Sequence, residues 1–224
     1  MIRPLLLSLA GLTLAATVAK VVALGPPAPQ RLAPDTLELP GYRVSAMGGA
    51  RARAGRELSQ GPRQRWRLQP LAGGAPLDLT LLPVRSRNSE AMQLAAFARL
   101  APELALQERR LSVAEGSGDA APPAEQLAFG RGSADPPGSL TRLQTCLTPG
   151  HQAGVGEITL GQQLQAEREA ELQRDRLRTR LLWISGLQPN TRWECLAVQL
   201  ATAPGRSSQQ HLQAAWKAVR EALR

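Results

Sequence analysis

The sequence predicts an α+β fold: an antiparallel sheet packed with a long helix and a C-terminal helix, preceded by an N-terminal transmembrane helix. Three features carry this prediction. The first is an apolar run near the amino terminus, where Pro4 to Ala19 contain no charge and only Ser8, Thr13 and Thr17 are polar. The second is two-residue alternation of apolar and polar side chains over Arg63–Leu71, Pro76–Val84 and Trp193–Leu200, the period of a half-buried strand. The third is helical spacing of Leu212, Trp216, Val219 and Leu223 in the last segment.

The elements follow in order. Residues 4–24 with Arg3 before them and Lys20 near their end make 21 positions, about 30 Å as a helix and enough to span a bilayer. The run lacks a polar face, so a buried amphipathic helix fits it poorly. A charged residue before an apolar run also begins a secretory signal peptide, but neither Thr17-Val18-Ala19 nor Ala23-Leu24-Gly25 is a clean A-x-A cleavage site. The expectation is therefore a retained signal anchor over 1–25, with residues 30–224 outside the cytoplasm. Pro26, Pro27, Pro29, Pro34 and Pro40 mark 26–40 as an extended tether. The domain proper is 41–224.

Within it, Tyr42–Met47 reads as a short strand, and the two alternating segments flanking Gly73-Gly74 read as a hairpin with Trp66 and Leu68 facing the core. Asn88-Ser89 caps a helix bearing Leu94, Phe97 and Leu100, with Leu104–Leu111 continuing it beyond Pro102. Residues 115–138, rich in Gly, Pro and Ala, form a long loop with one short strand at Gln126–Phe129. Leu140–Leu147 is a strand, Thr148-Pro149-Gly150 a turn and Thr159–Ile184 a long helix. In that helix Glu167, Glu169 and Glu171 precede Arg174, Arg176, Arg178 and Arg180, complementing the helix dipole on a solvated face. Ser207 with Gln210 forms a capping box for the final helix.

Composition narrows the function. The 224 residues carry 27 basic and 18 acidic side chains, a net charge of +9, with seven aromatic residues (four Trp, two Phe, one Tyr). So few rings argue against the stacking platforms of single-strand nucleic-acid binding, and export removes nucleic acid as a partner. Between Arg43 and Arg67 lie seven arginines (Arg43, Arg51, Arg53, Arg56, Arg63, Arg65, Arg67) against the single acid Glu57. Such a cluster beside a membrane attracts lipid headgroups, an acidic partner surface or an acidic polysaccharide; solvated arginines on strand faces are the plain alternative.

Catalytic chemistry finds little footing. Cys146 and Cys195 each fall inside a predicted strand, and His151 lies across a Pro-Gly turn from Cys146. Three readings stay open: a disulfide between Cys146 and Cys195, two separately buried thiols, or a thiol hydrolase using Cys146 and His151. Two His and two Cys without C-x-x-C or H-x3-H spacing predict no metal. The glycine-rich stretch Gly150–Gly156 lacks the Lys and Ser or Thr of a phosphate loop, so no cofactor is expected and the chain reads as a non-enzyme.

The order Leu143-Gln144-Thr145-Cys146-Leu147-Thr148-Pro149, then Gly154-Val155 and Leu160–Leu164, resembles the cyanoexosortase A system-associated proteins. So does Trp193-Glu194-Cys195-Leu196 followed by a helix bearing Trp216. The segment Cys146–His151 is distantly similar to the Cys-Leu-Pro-Gly turn of exosortase-associated exopolysaccharide proteins. The likeness covers residues 140–224 and the layout of anchor, Tyr42 strand and hairpin. It implies a cyanobacterial accessory protein, held in the cell inner membrane by one span with its C-terminal domain in the periplasm. Exosortases are polytopic membrane enzymes that process a C-terminal sorting signal. An associated protein would act by binding the enzyme, its exported substrate or the polymer, with Tyr42, the arginine cluster, Pro149 and His151 as candidate contacts. A soluble exported protein that binds an acidic ligand is the alternative.

Overall fold

A computed structural model describes residues 34, 36–49, 51, 53–54, 58–86, 104–114, 125–155, 157–174, 193–205 and 208–223. Two units partition the chain: Arg31–Gln165 with Arg192–Arg224, and Met1–Gln30 with Ala166–Thr191. Of the latter, the described part is 166–174, the second half of one helix. The apolar run 4–24 and the expected helix bearing Leu94, Phe97 and Leu100 lie outside the described residues. Among the described residues no helix is long and apolar enough to cross a membrane.

The first unit is built on antiparallel strands: β1 (Tyr42–Ala46), β2 (Arg53–Ala54), β3 (Leu58–Gln60), β4 (Gln64–Pro70), β5 (Leu77–Ser86), β6 (Gln107–Ala114), β7 (Glu125–Arg131), β8 (Arg142–Leu147), β9 (Ala153–Gly154) and β10 (Trp193–Thr202). Helix α1 (Glu157–Arg174) precedes β10, and α2 (Ser208–Ala222) closes the chain. The main sheet runs β1-β4-β5-β10-β8-β7-β6, so β10, last in sequence, lies between β5 and β8 and buries both faces. That accounts for its nearly unbroken apolar reading from Cys195 to Ala201.

Register sorts the side chains. Leu79, Leu200, Leu143 and Phe129 stand opposite one another across β5, β10, β8 and β7, and all are at most 1% exposed. Helix α2 covers this face with Leu212, Ala215, Trp216 and Val219, the i, i+3, i+4, i+7 stripe of an amphipathic helix. Leu37 and Leu39, which the sequence places in the tether, are buried in the same core. The opposite face carries a smaller core of Leu82, Val84, Ala128, Cys146, Val155, Cys195 and Ala197.

Local propensity misleads at one element. Leu104–Leu111, expected to continue a helix, instead leads into the edge strand β6, which pairs with β7 through Leu111–Ala128 and Val113–Gln126. The Leu, Gln, Glu and Arg there favour helix weakly, and pairing with β7, the next strand along the chain, overrides that preference. The loop expected over 115–138 is correspondingly shorter, because β7 extends from Glu125 to Arg131. The long helix starts at Glu157, and its expected continuation to Ile184 lies beyond the described residues.

The β7–β8 connection is organised by Asp135. Its carboxylate accepts hydrogen bonds from the Gly132 N–H (2.7 Å) and the Thr141 hydroxyl (2.6 Å), with Arg142 Nε at 3.6 Å. Burial works to raise its pKa, yet the Thr141 and Gly132 bonds and the Arg142 charge together outweigh burial and hold it below its ordinary value. A lowered folded-state pKa stabilises the fold above the ordinary value of 3.8, and that contribution is lost as pH falls through the lowered pKa.

Two outcomes follow. In urea titrations, Leu212→Ala should lose about 2–5 kcal/mol, whereas the exposed Gln213→Ala should stay within about 0.5 kcal/mol of the parent. Asp135→Asn should lower the thermal midpoint at pH 7, with the gap to the parent closing as pH drops below 3.8.

Candidate functional site

Strand parity separates the seven clustered arginines. Trp66 and Leu68 of β4 enter the α2-side core, so Arg65 and Arg67 project from the opposite face. Register sets Ser45 of β1 beside Arg67, and Arg43 beside Gln69. Arg43, Arg65 and Arg67 therefore share one solvent-exposed face at the β1–β4 edge of the sheet. Arg67 pairs through Nε with Asp78 Oδ1 at 3.1 Å, directly opposite it on β5. Arg63 is half-buried just before β4, and Arg51 is exposed on the connection from β1. Arg53 belongs to β2, and Arg56 lies outside the described residues. Tyr42 points the other way, packed against the α2-side core; burial pushes its hydroxyl pKa up from its ordinary value.

Pro149 and His151 occupy the turn joining β8 to β9. Thr148 closes that turn: its N–H donates to the Gln152 carbonyl (3.0 Å), and its carbonyl and hydroxyl accept the N–H groups of His151 (2.9 Å) and Gln152 (3.2 Å). His151 is exposed with φ of 61°. The turn follows Leu147, which pairs with Leu196 near the start of β10, whereas Tyr42 sits beside Pro70 at the end where β5 begins. Tyr42 and His151 thus lie at opposite ends of the sheet and do not form one site.

Cys146 and Cys195 are joined by a disulfide, with Cα atoms 5.7 Å apart. Cys146 stands opposite Ala197, two residues beyond Cys195, so the bond spans a same-face diagonal of β8 and β10. Both cysteines have no exposed surface. With its sulfur in this bond, Cys146 offers His151 no thiolate.

The same face holds buried polar residues that the sequence did not single out. Thr80, Gln199 and Gln144 stand in one row across β5, β10 and β8, each at most 6% exposed. The side-chain amides of Gln144 and Gln199 both donate to the Leu104 carbonyl, the latter at 3.3 Å. They clamp the segment leading into β6 over a small cavity lined also by Leu82 and Ala197. Parity gave the available signal: Gln144 is two residues from Cys146 and Gln199 four from Cys195, so all four share a face. This arrangement satisfies buried polar groups and fixes a crossing with uncharged side chains.

Among the described residues, no group of three or more His, Cys, Asp or Glu is placed to hold a metal ion. No family model, curated protein or solved structure matches the chain. Of the candidate contact residues, the described fold brings Arg43, Arg65 and Arg67 together on the exposed β1–β4 face, while the disulfide ties β8 to β10.

Replacing both cysteines, Cys146→Ala with Cys195→Ala, should cost about 4 kcal/mol for a 49-residue separation. Urea unfolding without reductant measures it, and a double variant as stable as the parent would show that the bond contributes nothing.

Proposed function

We propose that this chain is a membrane-anchored accessory protein of an exosortase-type protein-sorting or exopolysaccharide system, acting by binding enzyme, exported substrate or polymer. The observation that carries this reading is the buried Cys146–Cys195 disulfide. It joins the two segments on which the family resemblance rests, and such bonds persist in oxidising compartments outside the cytoplasm. The uncharged run Pro4–Ala19 supports the anchor. Binding in place of bond-making is supported by the oxidised state of Cys146 and by the exposed Arg43, Arg65 and Arg67.

The same arginine face favours a second reading, a released periplasmic protein that binds an acidic ligand. The two differ at the amino terminus. Intact-mass analysis of the chain from its native membranes should find the apolar run retained; loss of residues up to about Ala19 or Gly25 would favour the released form. Purification in detergent should recover a polytopic membrane partner. Repeated recovery of the chain alone would count against an accessory role.

A further inference from the structure

At one end of the sheet, where β1 and β5 begin and β4 and β10 end, the β4–β5 loop projects beyond Pro70, and the longer β7–β8 connection with Asp135 lies at the same end on the far side of β10. The β4–β5 loop, Leu71-Ala72-Gly73-Gly74-Ala75-Pro76, has no ionisable side chain. Leu71 is 67% exposed, a large apolar side chain held in water. Its N–H donates to the Gly41 carbonyl (2.9 Å), which ties the loop to the Pro40-Gly41 turn leading into β1. Gly73 and Gly74 have φ of 86° and 121°, conformations that only glycine adopts without strain. The Gln69 side-chain amide donates to Gly74 O at 3.3 Å and braces the loop. Leu71 is thus presented on a fixed, uncharged tip.

Behind the tip stand cations. Arg43 is one residue past Tyr42 on β1, and Arg67 and Arg65 follow on β4. Asp78 is taken by Arg67, and Glu38 is an exposed acid on the incoming chain. The chain arrives at this end through Leu37 and Leu39, both held in the core. Twelve residues separate Leu24 from Leu37, a reach of at most about 45 Å. A span over 4–24 would keep this end within tens of ångströms of a bilayer.

An exposed apolar tip with arginines running back from it along one face of β1 and β4 suits the interface of an anionic membrane met at a tilt, where the apolar part enters the headgroup region and cations meet lipid phosphates. We propose that the β4–β5 loop is a membrane-contact tip, with Leu71 entering the interface and Arg43, Arg65 and Arg67 contacting anionic headgroups. The proposal rests on the reading that the domain works beside a membrane.

The test uses the full chain with Leu71→p-benzoylphenylalanine, reconstituted into vesicles of phosphatidylglycerol and phosphatidylcholine and irradiated. A covalent lipid adduct at position 71 is expected. Its yield should fall in phosphatidylcholine alone, at high salt and in Arg43→Gln with Arg65→Gln, by roughly fivefold for each arginine removed. These positions are exposed, and an unchanged thermal midpoint will show that the fold is intact. No lipid adduct, or the same yield in neutral and anionic vesicles, overturns the proposal. So does an adduct formed preferentially with added polygalacturonate, which would make the face a polysaccharide site. Carbonate extraction of the same vesicles reports on the anchor separately: release would sink the anchored reading, while the adduct still decides the tip.

Discussion

Everything in the sheet depends on how β10 is held. It arrives last, yet it lies at the centre, paired in register along its length with β5 on one side and over Leu196–Ala201 with β8 on the other. Those pairings join residues separated by about a hundred positions in one case and about fifty in the other, so each must offset a substantial loop-closure entropy. Two devices answer that cost. Large apolar side chains meet across the α2 face, where Leu79, Leu200, Leu143 and Phe129 form one continuous row. On the other face the Cys146–Cys195 bond ties β8 to β10 covalently. One face is held by burial and the other by a covalent link, which suits its smaller apolar core.

The same parity determines what solvent meets. Alternation that sends Trp66 and Leu68 inward sends Arg65 and Arg67 outward, and pairing with β1 brings Arg43 to join them. The basic edge is therefore a geometric consequence of a well-packed core. On the stapled side, Gln144 and Gln199 satisfy a single backbone carbonyl, that of Leu104. This fixes the segment that crosses there without adding charge to the interior. In the proposed role, this sheet is the platform from which the arginines are presented.

Much of the architecture was legible in the sequence because the relevant signals are local. Alternation over Arg63–Leu71 and Pro76–Val84 gave the β4–β5 hairpin, and the spacing of Leu212, Trp216 and Val219 gave α2. Among the described residues after Leu140, the predicted strand, turn, helix, strand and helix order holds, with the two-residue β9 added before the first helix. Illegible features were those decided by strand pairing and register. Leu104–Leu111 has helix-favouring side chains, and only the availability of β7 makes β6 a strand. The arginine cluster was visible, but its division was not, because the relation of Arg43 to Arg67 depends on the β1–β4 register. Likewise, Tyr42 and His151 were both candidate contacts in the sequence, but only the strand order and register show that they lie at opposite ends of the sheet. Leu37 and Leu39 resembled tether because prolines flank them, although their own two-residue spacing places both in the core.

The central claim is that a covalent bond between β8 and β10 holds the platform in a compartment where such bonds endure. Non-reducing peptide mapping tests it most directly, on full-length chain taken from its native cells with free thiols blocked at lysis. One linked species joining the Cys146 and Cys195 peptides, with no blocked thiol at either position, is the predicted result. Both cysteines recovered as blocked free thiols would contradict the bond and, with it, the oxidising setting on which the proposed role depends.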